Sequence, residues 1–471
     1  MKAILFKAIA CLFAGSLITL SALADDLRIG AASVKVTPPI GTPMAGYYYE
    51  RGAEKVHDDL YAKALVIEKD GVKIAIVETD FVGISEFIVD KVRKLVKRSL
   101  GMDPAQVMIG ATHSHTGPVI PSGPSSLNID VNSSKSSSEG QQILESYIAK
   151  LPELIARSIE QANASLKPAK LSFGLGHEES ISFNRRYFMT DGTVGWNPGL
   201  HNPKVIKSAG PIDPVVSVLY AESVDAKPIS TFVNFALHLD EVGGSDISAD
   251  LPFYLSNVLE KVKGSDMVTI FSQGCSGNIN HINVNGEAPQ SGNFRAEKNG
   301  NILAGEVIKT YPRLSLLEIN AIKTKSEIIP VPLIEISKDE LKWARETAAK
   351  YGKPDAAPFL DLVKAFKMLK VEKMNGKPIQ TEIQVFALGD SCAIVSFPNE
   401  MFTELGQYLK SRSPYKYTII TELTNGSNGY IPDRKAYGEG NYEPLSTRAA
   451  PGSGEIMVEN ALRMLYELKN K

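Results

Sequence analysis

Ala64-Leu65-Val66-Ile67, then Asp70-Gly71, then Lys73-Ile74-Ala75-Ile76-Val77 is the stretch that decides the fold class. Two apolar runs around an Asp-Gly pair predict a β-hairpin, because those two residues accept the positive φ that a tight turn needs. Downstream, Phe87–Leu100 repeats apolar residues at helical spacing (Ile88, Val92, Leu95, Val96, Leu100) and stops at Gly101, a residue suited to a helix C-cap. Val107–Ala111 then reads as a short buried strand. The order recurs near the other end, where Ile383–Leu388 and Cys392–Phe397 flank Gly389-Asp390. A helix from about Met401 to Ser411 and a strand at Tyr417–Leu423 follow. Each copy carries an acid after its hairpin, Asp80 or Glu400, and a polar loop after its last strand. This is consistent with one unit used twice and equally with two sets of common α/β parts. Either way the expected class is α/β, with mixed β-sheets flanked by helices.

Composition narrows the rest. The chain has 471 residues, 43% hydrophobic and 22% charged, with a net charge of −2, which excludes collagen-like, coiled-coil and disordered classes. Without a basic excess, no nucleic-acid partner is expected. Length alone suggests two or three domains, but no Pro-, Gly- or Ser-rich linker divides the chain, so one large domain is expected over residues 25–471. Ser122–Gly140 reads as a loop, Lys338–Met374 as a surface insertion broken at Gly352 and Pro354, and Met457–Lys471 as a closing helix. Residues 1–24 read as a cleaved signal peptide: Lys2 and Lys7 precede an apolar run of 13 residues, and Ala22-Leu23-Ala24 supplies the small-x-small cleavage pattern. The run is too short for a transmembrane anchor, and the expected location is periplasmic or secreted. Cys275 and Cys392 would remain after cleavage, with their pairing undecided.

Seven histidines make their positions informative. Thr112-His113-Ser114-His115-Thr116-Gly117-Pro118 follows the strand Val107–Ala111. Alternate residues share a face on an extended chain, although a turn at the strand end would splay the two rings. Ser230–Leu237 delivers His238, followed by Asp240 and Glu241; Cys392–Phe397 delivers Pro398-Asn399-Glu400. Val268–Phe271 leads to Gln273 through Asn280, and Tyr417–Leu423 leads to Asn428-Gly429-Tyr430. Ligand sites in α/β sheets form at the carboxyl ends of strands. Two imidazoles and a carboxylate there make a reasonable zinc site with a position left for water, the arrangement of a metal hydrolase.

Together these segments resemble the neutral/alkaline ceramidase family, in its N-terminal catalytic domain. The resemblance runs from Ile29-Gly30-Ala31 to about Glu443. Its early marks are Met44-Ala45-Gly46-Tyr47 and His57-Asp58-Asp59-Leu60-Tyr61-Ala62-Lys63-Ala64, and its most specific is the segment Thr112–Pro118. Asn184-Arg185-Arg186, His238, Glu400 and Tyr430 follow in the family's order, with Tyr442-Glu443 closing the series. The resemblance implies a Zn2+ cofactor held by His113, His238, Glu400 and Tyr430, with His115, Arg185 and Tyr442 holding the substrate carbonyl and its developing oxyanion. It implies hydrolysis of an amide in an N-acyl substrate by a zinc-activated water. At Gly277-Asn278-Ile279-Asn280-His281 the sequence departs from the family's Gly-Asp-Val-Ser-Pro-Asn, so Asn280 stands where a serine lies at the zinc centre. An asparagine is no activated nucleophile, but its amide can donate a hydrogen bond to substrate or water. The closing helix also leaves no room for the C-terminal immunoglobulin-like domain of larger ceramidases. Small-molecule, lipid and glycan substrates all stay open. The alternatives are a zinc enzyme acting on an extracellular carbohydrate or an ester, and a non-catalytic metal-binding homologue.

Overall fold

A six-element pattern is laid down three times in this computed structural model, which describes residues 27–122 and 138–471. The expected signal peptide and most of the Ser122–Gly140 loop lie outside the described residues. The first unit runs β1 (Arg28–Lys35), β2 (Tyr61–Lys69), β3 (Val72–Thr79), α1 (Glu86–Leu100), β4 (Val107–Ala111) and α2 (Ser138–Ala164). The second runs β5 (Lys167–His177), β6 (Val215–Ser223), β7 (Pro228–Phe235), α3 (Leu251–Lys263), β8 (Val268–Gln273) and α4 (Asn293–Thr310). The third opens with β9 (Ile322–Val331), inserts α5 (Lys338–Ala348) and α6 (Phe359–Lys373), and continues with β10 (Ile379–Leu388), β11 (Cys392–Ser396), α7 (Thr403–Arg412), β12 (Tyr417–Thr421) and α8 (Ser453–Lys469).

In every unit the first three strands pair antiparallel and the last pairs parallel with the third, across a helical crossover. The unit legible twice in the sequence is therefore present three times. Asp70 and Gly71 make the first turn with φ of 51° and 80°, as their residue types require. Gly101 caps α1 at φ 72°. The first two units join edge to edge through β1 and β5 into one nine-stranded sheet that includes the short strand Ser315–Leu316; the third makes a separate four-stranded sheet.

Strand alternation sorts the core. Ala64, Val66, Ala75 and Val77 face outward and pack with Ile88 and Val92 of α1 and Ile155 of α2. Their neighbours Leu65, Ile67, Ile74 and Ile76 face inward. There they meet Phe173, Leu219 and Phe232 of the second unit and Phe386, Ile394 and Ile419 of the third. Each unit thus buries one face under its own helices and the other in a shared centre. Truncating a central phenylalanine such as Phe232, fully buried, costs roughly 3–5 kcal/mol by the usual cavity penalty.

Cys275 and Cys392 are free and buried in different clusters, so no disulfide links them. Among the described residues, no helix is long and apolar enough to cross a membrane. Between its first and second strands each unit carries a long insertion, at residues 36–60, 178–214 and 332–378.

Candidate functional site

The carboxyl ends of β4, β7 and β11, one strand from each unit, bring His113, His238 and Glu400 to one place. β4 ends at Ala111, and the backbone N–H of His113 donates to Phe81 O at 2.8 Å. His113 adopts φ 75°, a left-handed turn that a non-glycine residue holds only where its surroundings over-determine it. Its Nδ1 donates to Val82 O at 2.6 Å, which leaves Nε2 with a bare lone pair.

The turn does not splay the two rings. His115 Nε2 lies 3.3 Å from His113 Nε2, and His238 Nε2 lies 3.1 Å from it. Behind His115, Nδ1 faces Asp240 Oδ1 at 3.4 Å, and Tyr47 donates to the same oxygen at 2.5 Å. Arg51 holds the loop from outside through bonds to His115 O, Ala45 O and Gly244 O. All three imidazoles are buried, and that burial lowers the His113 pKa to about 4 and drives those of His115 and His238 well below the ordinary value. Neutral rings with converging Nε2 atoms are what a metal ion requires, and this trio can hold one.

Glu400 approaches from the third unit. It begins a short strand, Glu400–Met401, that pairs in parallel with Tyr430–Ile431 and sets Glu400 beside Tyr430. Its Oε2 is 3.6 Å from His113 Nε2 and 3.8 Å from His238 Nδ1. That oxygen is buried and, among the described residues, has no hydrogen-bond partner. Burial raises the Glu400 pKa to about 7, against a Tyr430 hydrogen bond and the Arg185 charge, which lower it. In a tetrahedral zinc site with bonds of about 2.0–2.1 Å, neighbouring donors stand about 3.3 Å apart. Measured from His113 Nε2, the separations of 3.1, 3.3 and 3.6 Å bracket that value, and the three imidazoles together can hold a metal ion.

Arg185 comes from the second insertion and is buried. Its Nε donates to Glu443 Oε1 at 2.8 Å and its Nη2 to Gly277 O at 2.6 Å. Burial works against its charge, yet Tyr430, Glu443 and Glu400 together raise its pKa. The guanidinium lies 5.3 Å from the Tyr430 ring and 5.9 Å from the Tyr442 ring. Arg186 shares the fully buried Glu443, donating to Oε2 at 2.8 Å. Tyr442 sits T-shaped to Tyr430 at 5.6 Å, and its pKa is pushed well up, first by burial and then by Tyr48.

Of the eight residues read from the sequence, seven cluster here through these contacts. The eighth, Asn280, is buried nearby in a different bonding role: its Nδ2 donates to Asn197 Oδ1 at 3.0 Å and its Oδ1 accepts from Ile282 N at 3.0 Å. Asn278, at the family's aspartate position, accepts from Thr403 N at 2.9 Å and donates to Glu404 at 2.7 Å. Its carbonyl accepts the Arg185 N–H at 2.9 Å, so it braces the site from behind. Burial drives the Cys275 thiol well up, the state of an inert core cysteine. Sequence reasoning gave no role to Tyr47, Asp240, Tyr48, Trp196 or His281. His281 is buried, with its pKa lowered to about 4 by that burial and opposed by Asp240.

Residues 27–298 match the family described as neutral/alkaline non-lysosomal ceramidase, N-terminal. Neutral ceramidase of Pseudomonas aeruginosa is 29% identical over 293 residues, 59% of this chain; the chain matches only 41% of that relative's length. The crystal structure of that bacterium's neutral ceramidase superposes with a TM-score of 0.70 at 20% identity, covering 94% of this chain and 75% of the other. A ceramidase complexed with C2 aligns equally well, at TM-score 0.70 and 20% identity over the same shares of the two chains.

Proposed function

This chain belongs to the neutral/alkaline non-lysosomal ceramidase family, and from that premise we propose that it is an exported zinc hydrolase cleaving the amide of an N-acyl substrate. The observation that carries the reading is the convergence of His113, His238 and Glu400, one residue from each structural unit, with His238 Nε2 3.1 Å and Glu400 Oε2 3.6 Å from His113 Nε2. A zinc ion held there supplies a Lewis acid and lowers the pKa of water bound to it.

The remaining steps fall to side chains. Hydrolysis adds water across the C–N bond, and negative charge collects on the carbonyl oxygen before the amine leaves. Tyr442 keeps its proton throughout the neutral range because its pKa is raised, so it acts as a donor and not as a base. Arg185 stays cationic, anchored by Glu443 and Gly277, and presents charge to the same oxygen. Asp240 and Tyr47 fix the orientation of His115 from behind.

The fourth metal donor has two candidates. Family resemblance assigns it to Tyr430, which hydrogen-bonds Glu400 and Arg185. A specific observation favours His115: its Nε2 lies 3.3 Å from His113 Nε2, within the group of three imidazoles that can hold a metal ion. Zinc content of Tyr430→Phe and His115→Ala separates the two, since only the true ligand's loss lowers it.

The activity is tested on N-acyl amides, esters and glycosides, before and after zinc removal by a chelator. Amide turnover that vanishes with the metal and returns with added zinc is expected. Turnover confined to esters or glycosides overturns the amide assignment, and turnover that survives complete zinc removal overturns the zinc assignment.

A further inference from the structure

Tyr442 follows a residue that stands in a strained backbone conformation. Asn441 has φ 73° and ψ −160°, a region that glycine occupies freely and other residues hold only where their surroundings over-determine it. From there its side chain makes two bonds. Oδ1 accepts from Tyr442 N at 2.9 Å at the start of the short helix Tyr442–Ser446, and Nδ2 donates to Val194 O at 2.8 Å. Capping alone does not call for this geometry, because a capping residue ordinarily does its work from the extended region. The second bond is the distinctive one. It ties the segment that carries Tyr442 to the second insertion, where Val194 opens the strand Val194–Trp196.

That strand is itself tied to Arg185. Trp196 pairs with Arg186, the residue after Arg185. Asn197, at φ 42°, donates its N–H to Arg185 O at 2.8 Å and accepts from Asn280 Nδ2 at 3.0 Å. Asn280, in place of the family's serine, thus braces the end of the strand. The Trp196 indole lies face to face on the Tyr442 ring, 4.5 Å away at 28°. Phe359, from the third insertion expected at the surface, also reaches Tyr442, but at 6.0 Å and with 43% of its own surface exposed it is the looser contact. One three-residue strand therefore fixes Arg185 through the backbone and Tyr442 through a ring and an amide.

We propose that Asn441 is a positioning residue: with Trp196 it holds Tyr442 in register with Arg185, so that both present their donors to one carbonyl oxygen. This rests on the amide-hydrolase reading and deepens it. The strain at Asn441 is kept because the side chain, which glycine would lack, carries the link to Val194 O. A group displaced by about 1 Å from its working position forfeits up to roughly 100-fold in rate, so the link matters to turnover more than to folding.

Two variants separate the bonds. Asn441→Gly suits the backbone and removes both; Asn441→Asp keeps the acceptor for Tyr442 N and loses the donor to Val194 O. They are assayed on the N-acetyl, N-octanoyl and N-palmitoyl amides of ethanolamine. Each is expected to lower kcat about 10- to 100-fold at little changed KM, the mark of an interaction made in the transition state, with zinc content and melting temperature near those of wild type. In a Tyr442→Phe background neither is expected to lower kcat further. A second readout needs no turnover. The chain has two tryptophans, so Trp343→Phe leaves Trp196 as the sole indole, and acrylamide quenching of it is expected to rise in Asn441→Gly as the stack on Tyr442 loosens. Wild-type kcat in either variant overturns the proposal, as does a loss of kcat that Tyr442→Phe leaves undiminished. A wild type that turns over none of the amides refutes the hydrolase reading, and quenching then decides the brace alone. Unchanged quenching overturns the brace whatever the turnover.

Discussion

Gly277→Ala perturbs the site without replacing any proposed ligand. The Gly277 N–H donates to Met401 O at 2.8 Å, and its α-carbon packs against the strand that begins at Glu400. A β-carbon there would stand 2.5 Å from Glu400 O and 2.9 Å from Met401 O, where ordinary contact begins at 3.4 Å. Both obstacles are backbone, so Glu400 must retreat by about 0.9 Å, several times the roughly 0.2 Å spread a metal bond tolerates. Zinc affinity is expected to fall about 10- to 100-fold, the loss typical when a ligand's support is removed, equivalent to roughly 1.4–2.7 kcal/mol. The assay is competition with a chelator of known affinity, run beside thermal melts of the metal-free protein to confirm folding. Gly305→Ala is the control, because nothing lies within 4 Å of its added methyl. A folded Gly277→Ala protein with wild-type zinc affinity would refute the reasoning, since the position of Glu400 would then not matter to the metal.

Two further predictions concern stability. Glu78 is fully buried, and that burial raises its pKa to about 8, so folding favours its protonated form. Its contribution is complete below the unfolded pKa and is lost as pH rises through about 8; Glu78→Gln is expected to flatten the decline between pH 5 and 8, by roughly 4 kcal/mol at most, in urea melts at several pH values. An identical pH profile in the two proteins would contradict the assignment. Glu443→Ala leaves Arg185 and Arg186 buried without their shared carboxylate and is expected to cost roughly 3–5 kcal/mol of unfolding free energy; a loss under 1 kcal/mol would show that the guanidiniums are solvated.

Much of this was legible from local signals. Asp70-Gly71 and Gly389-Asp390 announced two hairpins because their residue types suit positive φ, and both form. The third hairpin, between β6 and β7, turns at Ala226 with φ 60°, a residue that carries no turn signal. The first strand of each unit stayed hidden behind an insertion, so its pairing with the next strand has no local signature. At the site, His113, His238 and Glu400 were readable as polar residues at strand ends. The roles of Arg185, Tyr430 and Tyr442 were reachable only through family resemblance, because packing of the second insertion against the segment between β12 and α8 brings them together. The left-handed turn at His113 lies beyond residue preferences, and it decides that His115 joins the cluster.

Zinc stoichiometry tests the central claim most directly. Elemental analysis of the purified wild type should find about one zinc per chain, tightly held, with His113→Ala and Glu400→Ala each folded and nearly metal-free. Full zinc occupancy in both variants, or a folded wild type that takes up none from excess zinc, would contradict it.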